Sequence, residues 1–77
     1  MLEKMQEMIS EQLGINAEEV TPEKALKDDL NADSLDLFEL VTNLEDEYGI
    51  EIPAEDLETM VTVQDVMDYL KNKGIEE

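Results

Sequence analysis

The chain has 77 residues and a formal net charge of -17, from 22 acidic residues against five lysines. This charge repels nucleic acid and anionic membranes, so we expect no nucleic-acid partner and no membrane insertion. The absence of cysteine and histidine excludes disulfides and thiolate metal sites and removes the usual general base near neutral pH. We therefore expect one domain over residues 1–77: a cytoplasmic monomer that is not an enzyme and holds no metal.

The first third of the chain predicts one helix and a long connection. Apolar residues recur at helical spacing over residues 1–13, and Gly14 supplies a stop signal. Residues 15–33 lack sustained periodicity, which for a connection of this length indicates either a function or a hidden short helix. Its apolar residues predict that it packs over the core: Val20, Ala25, Leu26 and Leu30.

The strongest helical signal lies in the middle of the chain, over residues 34–48. Asp33 is predicted to cap this helix together with Asp36, three residues on, and Gly49 is predicted to end it. An extended connector follows over residues 50–53, and a short helix begins at residue 53 or 54 and ends near residue 59. Thr62 and Asp65 form a second cap pair for a last helix over residues 62–73. The pattern predicts an all-α bundle.

On a helical wheel the segment 34–48 has two apolar stripes. Leu35, Phe38 and Thr42 fall on a different side from the wide stripe, so burial of the wide stripe leaves Leu35 and Phe38 outside. Acidic residues surround this second stripe, which is typical of a docking surface, although Phe38 packed against the long loop is the alternative. The wide, core-facing stripe is Leu37, Leu40, Val41, Leu44 and Tyr48.

Ser34 lies in the first turn of this helix, on the border between the two stripes. A helix N-terminus has free backbone N–H groups, and it stabilises an exposed phosphate ester by about 0.3–1 kcal/mol. A serine in this place is usually just a cap, so Ser34 alone identifies no function.

A longer pattern around Ser34 is more specific. Residues 28–36 read Asp-Asp-Leu-Asn-Ala-Asp-Ser-Leu-Asp, and the pattern continues through residues 38–41, 50–53 and 62–65. These segments closely resemble the acyl carrier protein family. They are most similar to its freestanding bacterial members, which serve type II fatty acid synthesis. The resemblance covers essentially the whole chain. The family usually has glycine where this chain has Asn31, and an apolar residue where it has Thr42.

The resemblance implies a four-helix bundle with a long first loop and a short third helix. It implies that a holo-carrier synthase transfers 4'-phosphopantetheine from coenzyme A to Ser34, and that the arm's thiol carries acyl groups as thioesters between enzymes of fatty acid biosynthesis. Basic patches on these enzymes would meet the acidic residues Asp33, Asp36, Glu39, Glu45 and Asp46. Leu35 and Phe38 would supply the apolar part of the same contact. The acyl chain would fold back among residues that also read as ordinary core: Leu40, Leu44, Ile52, Leu57, Met60, Val66 and Met67.

Three alternatives have different sequence support. A calcium-binding EF-hand fails, because a loop starting at Asp28 puts Leu30 at position 3 and Asp33 at position 6, where glycine is required. An acidic interaction module without a prosthetic group would use the same helix. A carrier for another cargo, such as a polyketide, D-alanyl or aminoacyl unit, also stays open.

Overall fold

Four α-helices surround one apolar core in residues 1–75, the part of the chain that the computed structural model describes. No β-strand occurs in this part, where an isolated bridge pairs Ala25 with Thr62. The predicted all-α four-helix bundle, with a long first loop and a short third helix, is therefore confirmed. The helices are α1 (Leu2–Leu13), α2 (Ser34–Tyr48), α3 (Ala54–Leu57) and α4 (Val63–Asn72).

The ends of α2 are set by the residues that the sequence predicts. The amide of Asp36 donates to the Asp33 carboxylate at 2.8 Å, and the amide of Asp33 donates back to the Asp36 carboxylate at 3.3 Å. Gly49 ends the helix in the left-handed conformation, with φ 65°. Because each carboxylate satisfies an otherwise free amide, this short sequence is sufficient to start the helix.

The predicted bounds of the other helices need small corrections. α3 ends at Leu57 rather than near Thr59, because the amides of Thr59 and Met60 bond to carbonyls only three residues back. Bonds of that kind belong to a tighter turn than an α-helix. α1 begins at Leu2 rather than at residue 1, and α4 spans Val63–Asn72 because residues 62 and 73 serve as its caps.

The connection between α1 and α2 is ordered and tied to the start of α4. It contains a 3-10 turn at Ala17–Glu19 that the periodicity did not reveal. The amide of Leu26 donates to the Val61 carbonyl at 2.9 Å, and the amide of Val63 donates to the Lys24 carbonyl at 3.1 Å. The predicted packing over the core is confirmed, since Val20, Leu26 and Leu30 are buried and Ala25 is half-buried.

Asn31 and Ala32 bring this connection to the start of α2. Asn31 has φ 58°, a left-handed conformation that asparagine tolerates better than most residues. Asn31 thus adopts a left-handed conformation at the position where the family usually has glycine. Ala32 is buried, and its amide donates to the Leu26 carbonyl at 2.9 Å, so the turn holds Ser34 at a fixed position beside the core.

The core consists of aliphatic and methionine side chains from every α-helix except α3 and from the connections. In α2 the wide stripe is buried as predicted, except that Tyr48 is only half-buried. No polar or charged residue is buried among the described residues. None of the helices in residues 1–75 has the length and apolarity needed to cross a membrane.

Candidate functional site

The hydroxyl of Ser34 differs from every other serine and threonine hydroxyl in the chain. The hydroxyls of Ser10, Thr42 and Thr59 donate to carbonyls of their own preceding turns. The Thr62 hydroxyl accepts from the amide of Asp65, and the buried Thr21 hydroxyl has no partner. Ser34 is exposed, and its hydroxyl makes no hydrogen bond within the described residues. Of the six, it alone is both exposed and free to be modified.

The start of α2 already carries two carboxylates, which weaken its attraction for a phosphate group. Asp33 is the N-cap, and its carboxylate already accepts the amide of Asp36. The remaining amides of the first turn, those of Ser34 and Leu35, are the donors that a phosphate on Ser34 would find. Because Asp33 and Asp36 are both negative, the helix end offers a phosphate ester only a modest stabilisation.

A groove of about 360 Å³ opens beside Ser34 and separates the start of α2 from α3. One wall comes from the long connection and the other from α3 and the segment that follows it. We call it the Ser34 groove, and its lining is Ala25, Lys27, Asp28, Ser34, Leu37, Ala54, Leu57, Glu58, Met60 and Val61.

A second space lies deeper in the core and is nearly filled. Its volume is about 10 Å³, which is about the space needed to hold one water molecule. We call it the inner pocket, and its lining is Leu26, Leu37, Leu40, Val41, Leu44, Leu57, Met60 and Val66. It shares Leu37, Leu57 and Met60 with the Ser34 groove, so these three side chains separate the two spaces.

The predicted acyl-chain lining is only partly gathered around this pocket. Leu40, Leu44, Leu57, Met60 and Val66 border it. Ile52 and Met67 are buried elsewhere in the core. The pattern missed Leu26, Leu37 and Val41, of which Leu37 and Val41 belong to the predicted core stripe of α2. The role of all these residues as a lining stays a prediction.

The second stripe of α2 lies at the surface, as the helical wheel predicts. Leu35 is 66% exposed and Phe38 is 55% exposed, so Phe38 is not tucked against the long connection. Thr42 is also exposed, and its hydroxyl donates to the Phe38 carbonyl at 3.0 Å. The helix satisfies this hydroxyl itself, so Thr42 does not add an unsatisfied polar group to the stripe.

The predicted docking acids of α2 do not all point the same way. Glu39 is exposed beside α1 and accepts a hydrogen bond from Gln12 at 2.6 Å. Asp46 lines an open groove between α1 and α2. Glu45 is half-buried on the opposite side and accepts the amide of Ile52 at 2.8 Å. Their contact with partner enzymes stays a prediction, and Glu45 is the one that the fold already engages most.

Val61 belongs to the surface around Ser34, and the sequence did not single it out. It is 55% exposed and lines the Ser34 groove. An apolar residue just before an N-cap such as Thr62 normally packs against the fourth residue of the helix, here Val66. That local pattern predicts burial, so nothing in the sequence distinguished Val61 as a surface residue.

A hydrogen bond joins α3 to α4. The Tyr69 hydroxyl donates to the Asp56 carboxylate at 2.6 Å. This bond, with partial burial and the negative charges of Asp56 and Glu45, raises the pKa of Tyr69 to about 12. The Lys73 ammonium lies over the same ring, 5.5 Å from its centre.

No cluster of three or more acidic side chains in residues 1–75 has a metal-binding arrangement.

Comparison with known proteins identifies the class to which this fold and site belong. Residues 3–70 match the family model described as a phosphopantetheine attachment site. The chain is 50% identical to the acyl carrier protein of Thermosynechococcus vestitus over 94% of this chain and 89% of that one. It is 51% identical to the acyl carrier protein of Nitratidesulfovibrio vulgaris over 92% of this chain and 93% of that one.

A solved structure agrees. The acyl carrier protein from Enterococcus faecalis superposes with a TM-score of 0.78 at 45% identity, covering 92% of this chain and 90% of that chain. The chain belongs to the acyl carrier protein family, as its sequence predicts, and phosphopantetheine is the prosthetic group of that family. The residues present fit such a group, because Ser34 offers an exposed and unpartnered hydroxyl at the mouth of a groove.

Proposed function

We propose that this chain carries acyl groups between the enzymes of fatty acid biosynthesis, on a 4'-phosphopantetheine arm attached to the Ser34 hydroxyl. The observation that carries this proposal is the state of that hydroxyl, which is exposed, unpartnered and next to the Ser34 groove. Membership of the family supplies the chemistry: the arm, taken from coenzyme A, ends in a thiol that forms thioesters.

The chain's own residues supply a place of attachment, a recognition surface and a shelter. The turn at Asn31 and the cap at Asp33 hold Ser34 at the surface, where a transferase can reach it. Leu35 and Phe38 present apolar area for docking, and the surrounding acids attract basic patches on partner enzymes. The inner pocket receives the acyl chain after it widens, since its present volume is too small.

The proposal includes no catalysis by this chain. The partners, including the holo-carrier synthase, supply the bases and nucleophiles, while this chain presents the cargo in turn to each. Its negative field favours fast and salt-sensitive encounter over tight binding, which suits repeated exchange of partners. The cytoplasmic location and the monomeric state stay predictions from the sequence.

The alternatives differ in their support. An acidic interaction module without a prosthetic group leaves the free Ser34 hydroxyl and the Ser34 groove without a role. A carrier of polyketide, D-alanyl or aminoacyl units would use the same serine. The nearly closed, wholly apolar lining of the inner pocket favours an acyl chain over a charged or polar cargo.

The experiment compares the two serines of the chain. The purified protein is incubated with coenzyme A and a phosphopantetheinyl transferase, and its intact mass is measured. Ser10→Ala is the matched control, because Ser10 is the other serine and its hydroxyl is already bonded within α1. We expect one added phosphopantetheine group on wild type and Ser10→Ala, and none on Ser34→Ala. Modification of folded Ser34→Ala would contradict the proposal.

A further inference from the structure

The inner pocket must open before it can hold an acyl chain. Its free volume of about 10 Å³ is about the space needed to hold one water molecule, and a chain of several methylenes needs far more. Core side chains are packed too densely to yield that space in place. One of the elements that border the pocket therefore has to move.

The element with the least to hold it is α3. It has four residues, none of them buried, and no side chain caps its N-terminus at Pro53. By contrast, α2 and α4 each begin with a reciprocal side-chain cap and bury four residues. Leu57 of α3 borders both the Ser34 groove and the inner pocket. Outward movement of α3 would join the two spaces and give a path from Ser34 to the core.

One side-chain hydrogen bond opposes that movement. Within residues 1–75, the bond from the Tyr69 hydroxyl to the Asp56 carboxylate is the one that ties a side chain of α3 to α4. It is short, at 2.6 Å, and its acceptor is charged, which places it among the stronger hydrogen bonds. The phenol is protonated at physiological pH and can donate, and the raised pKa of Tyr69 extends this state to more alkaline pH.

Lys73 adds to the placement of this donor. Lys73 is the C-cap of α4, and its ammonium lies 5.5 Å from the centre of the Tyr69 ring. Tyr69 is half-buried and packs against the core, so the hydroxyl is presented to α3 in a restricted position. The hydrogen bond is thus built on α4, the better anchored of the two helices, and acts on the less anchored one.

We propose that the hydrogen bond between Tyr69 and Asp56 positions α3 over the inner pocket and sets how readily the pocket opens to an acyl chain. Both are positioning residues, since neither borders the inner pocket or the Ser34 groove. The proposal rests on the proposed function. Loss of the bond favours the open state by population shift, so long chains on Ser34 become better sheltered and short ones are unaffected.

The first test uses the loaded protein. Acetyl and decanoyl thioesters are prepared on wild type, Tyr69→Phe and Asp56→Asn, and their cleavage by hydroxylamine is timed. We expect decanoyl cleavage to slow roughly three- to tenfold in Tyr69→Phe, the range set by the net contribution of one typical hydrogen bond. Acetyl cleavage should not change. Asp56→Asn keeps a neutral acceptor and should give a smaller effect in the same direction.

The matched control is Asp68→Asn. Asp68 lies on α4 beside Tyr69, and its substitution removes one negative charge, as Asp56→Asn does. Its carboxylate accepts a hydrogen bond from Gln64 of the same helix and makes no bond to α3. Decanoyl cleavage in this variant should equal that of wild type. The double variant Tyr69→Phe with Asp56→Asn should match Tyr69→Phe alone, since the two residues act through one bond.

The second test needs no cargo and reads α3 directly. Hydrogen exchange is followed on the unmodified protein at the amides of Thr59 and Met60, which bond to carbonyls of α3. We expect severalfold faster exchange at these amides in Tyr69→Phe, with α2 amides unchanged. If circular dichroism shows that Tyr69→Phe has lost its helices, Asp56→Asn replaces it in both tests.

The outcomes separate this proposal from the one on which it rests. If Ser34 accepts no arm, the proposed function fails, and the exchange experiment still measures the bond between α3 and α4. If wild type is loaded and shelters decanoyl, but the variants equal it in both cleavage and exchange, the positioning role is overturned. Faster exchange throughout the molecule would also overturn it, since the bond would then support the whole fold.

Discussion

Single residues in this chain act through hydrogen bonds that the sequence does not display. The free hydroxyl of Ser34 is meaningful only because the other serine and threonine hydroxyls are bonded or buried. The motif around it was visible in the sequence, and so was the left-handed turn at Asn31. The hydrogen-bonded state of the remaining hydroxyls depends on the fold, and it makes Ser34 the distinctive site.

The environment of Tyr69 predicts a dependence on alkaline pH. The hydrogen bond to Asp56, burial and the charges of Asp56 and Glu45 raise the pKa of Tyr69 from 10.0 to about 12, while the Lys73 ammonium faces its ring. A pKa raised by folding means that the stabilisation is complete below pH 10 and is lost as the pH rises toward 12. Ultraviolet titration of the Tyr48→Phe variant, in which Tyr69 is the one remaining tyrosine, measures the pKa of Tyr69.

Asp56→Asn in that variant is the companion measurement. It removes the charged acceptor, so the pKa of Tyr69 should fall back toward its ordinary value. The loss of stability between pH 10 and pH 12 should shrink with it. Ionisation of Tyr69 near its ordinary value in the unaltered protein would show that the bond to Asp56 is absent in solution.

At the scale of elements, the helices with local end signals were predictable and those fixed by distant contacts were not. The cap at Asp33 and the stop at Gly49 bracket α2, so both its ends were predicted from adjacent residues. The attachment of the long connection depends on bonds to other parts of the chain. The amide of Leu26, for example, bonds to the Val61 carbonyl, and no local pattern reveals that pairing.

The same distinction applies to the candidate site. The helical wheel separated the buried stripe of α2 from the exposed one, because both lie on a single helix. The Ser34 groove combines the long connection, α2 and α3, and so residues such as Lys27 and Val61 could not be found from helical spacing. The hydrogen bond from Tyr69 to Asp56 spans 13 positions and two helices, and periodicity carries no sign of it.

The acidic face of α2 predicts slower docking when its charge is reversed. Glu39→Lys should slow transfer of phosphopantetheine to Ser34 by roughly three- to tenfold at low salt, because it weakens attraction to a basic partner. The rates of variant and wild type should converge as salt rises and the Debye length falls from about 30 Å at 0.01 M to about 10 Å at 0.1 M. Initial rates across this salt series provide the measurement.

Gln12→Ala supplies the control for this substitution. It removes the same hydrogen bond, from Gln12 to Glu39 at 2.6 Å, and leaves the charge of the helix unchanged. Its rate should equal that of wild type at every salt concentration. Equal rates for Glu39→Lys and wild type at low salt would remove Glu39 from the docking surface.

Repulsion among its own negative charges lowers the stability of the whole molecule. It has a net charge of -17, and the ion pair between Lys4 and Glu47, at 3.3 Å, is partly exposed. Such a surface pair contributes at most about 1 kcal/mol. Added salt therefore screens much more repulsion than attraction, and it should stabilise the fold.

Thermal unfolding in increasing NaCl tests this balance. Each 1 kcal/mol gained corresponds to a rise in Tm of about 4–8 °C for a domain of this size, and we expect a rise of at least that order. The variant Glu7→Gln with Glu51→Gln removes two exposed charges, so it should be more stable than wild type at low salt and less sensitive to NaCl. A Tm that falls with NaCl would show that favourable ion pairs dominate.

The identity of the modified atom is the claim on which the carrier function depends. The most direct measurement is site-localising mass spectrometry of the unaltered protein after incubation with coenzyme A and a phosphopantetheinyl transferase. We predict a single phosphopantetheine group, borne by the peptide that contains Ser34. The same group on the Ser10 peptide, or an unmodified protein in the presence of an active transferase, would contradict the assignment.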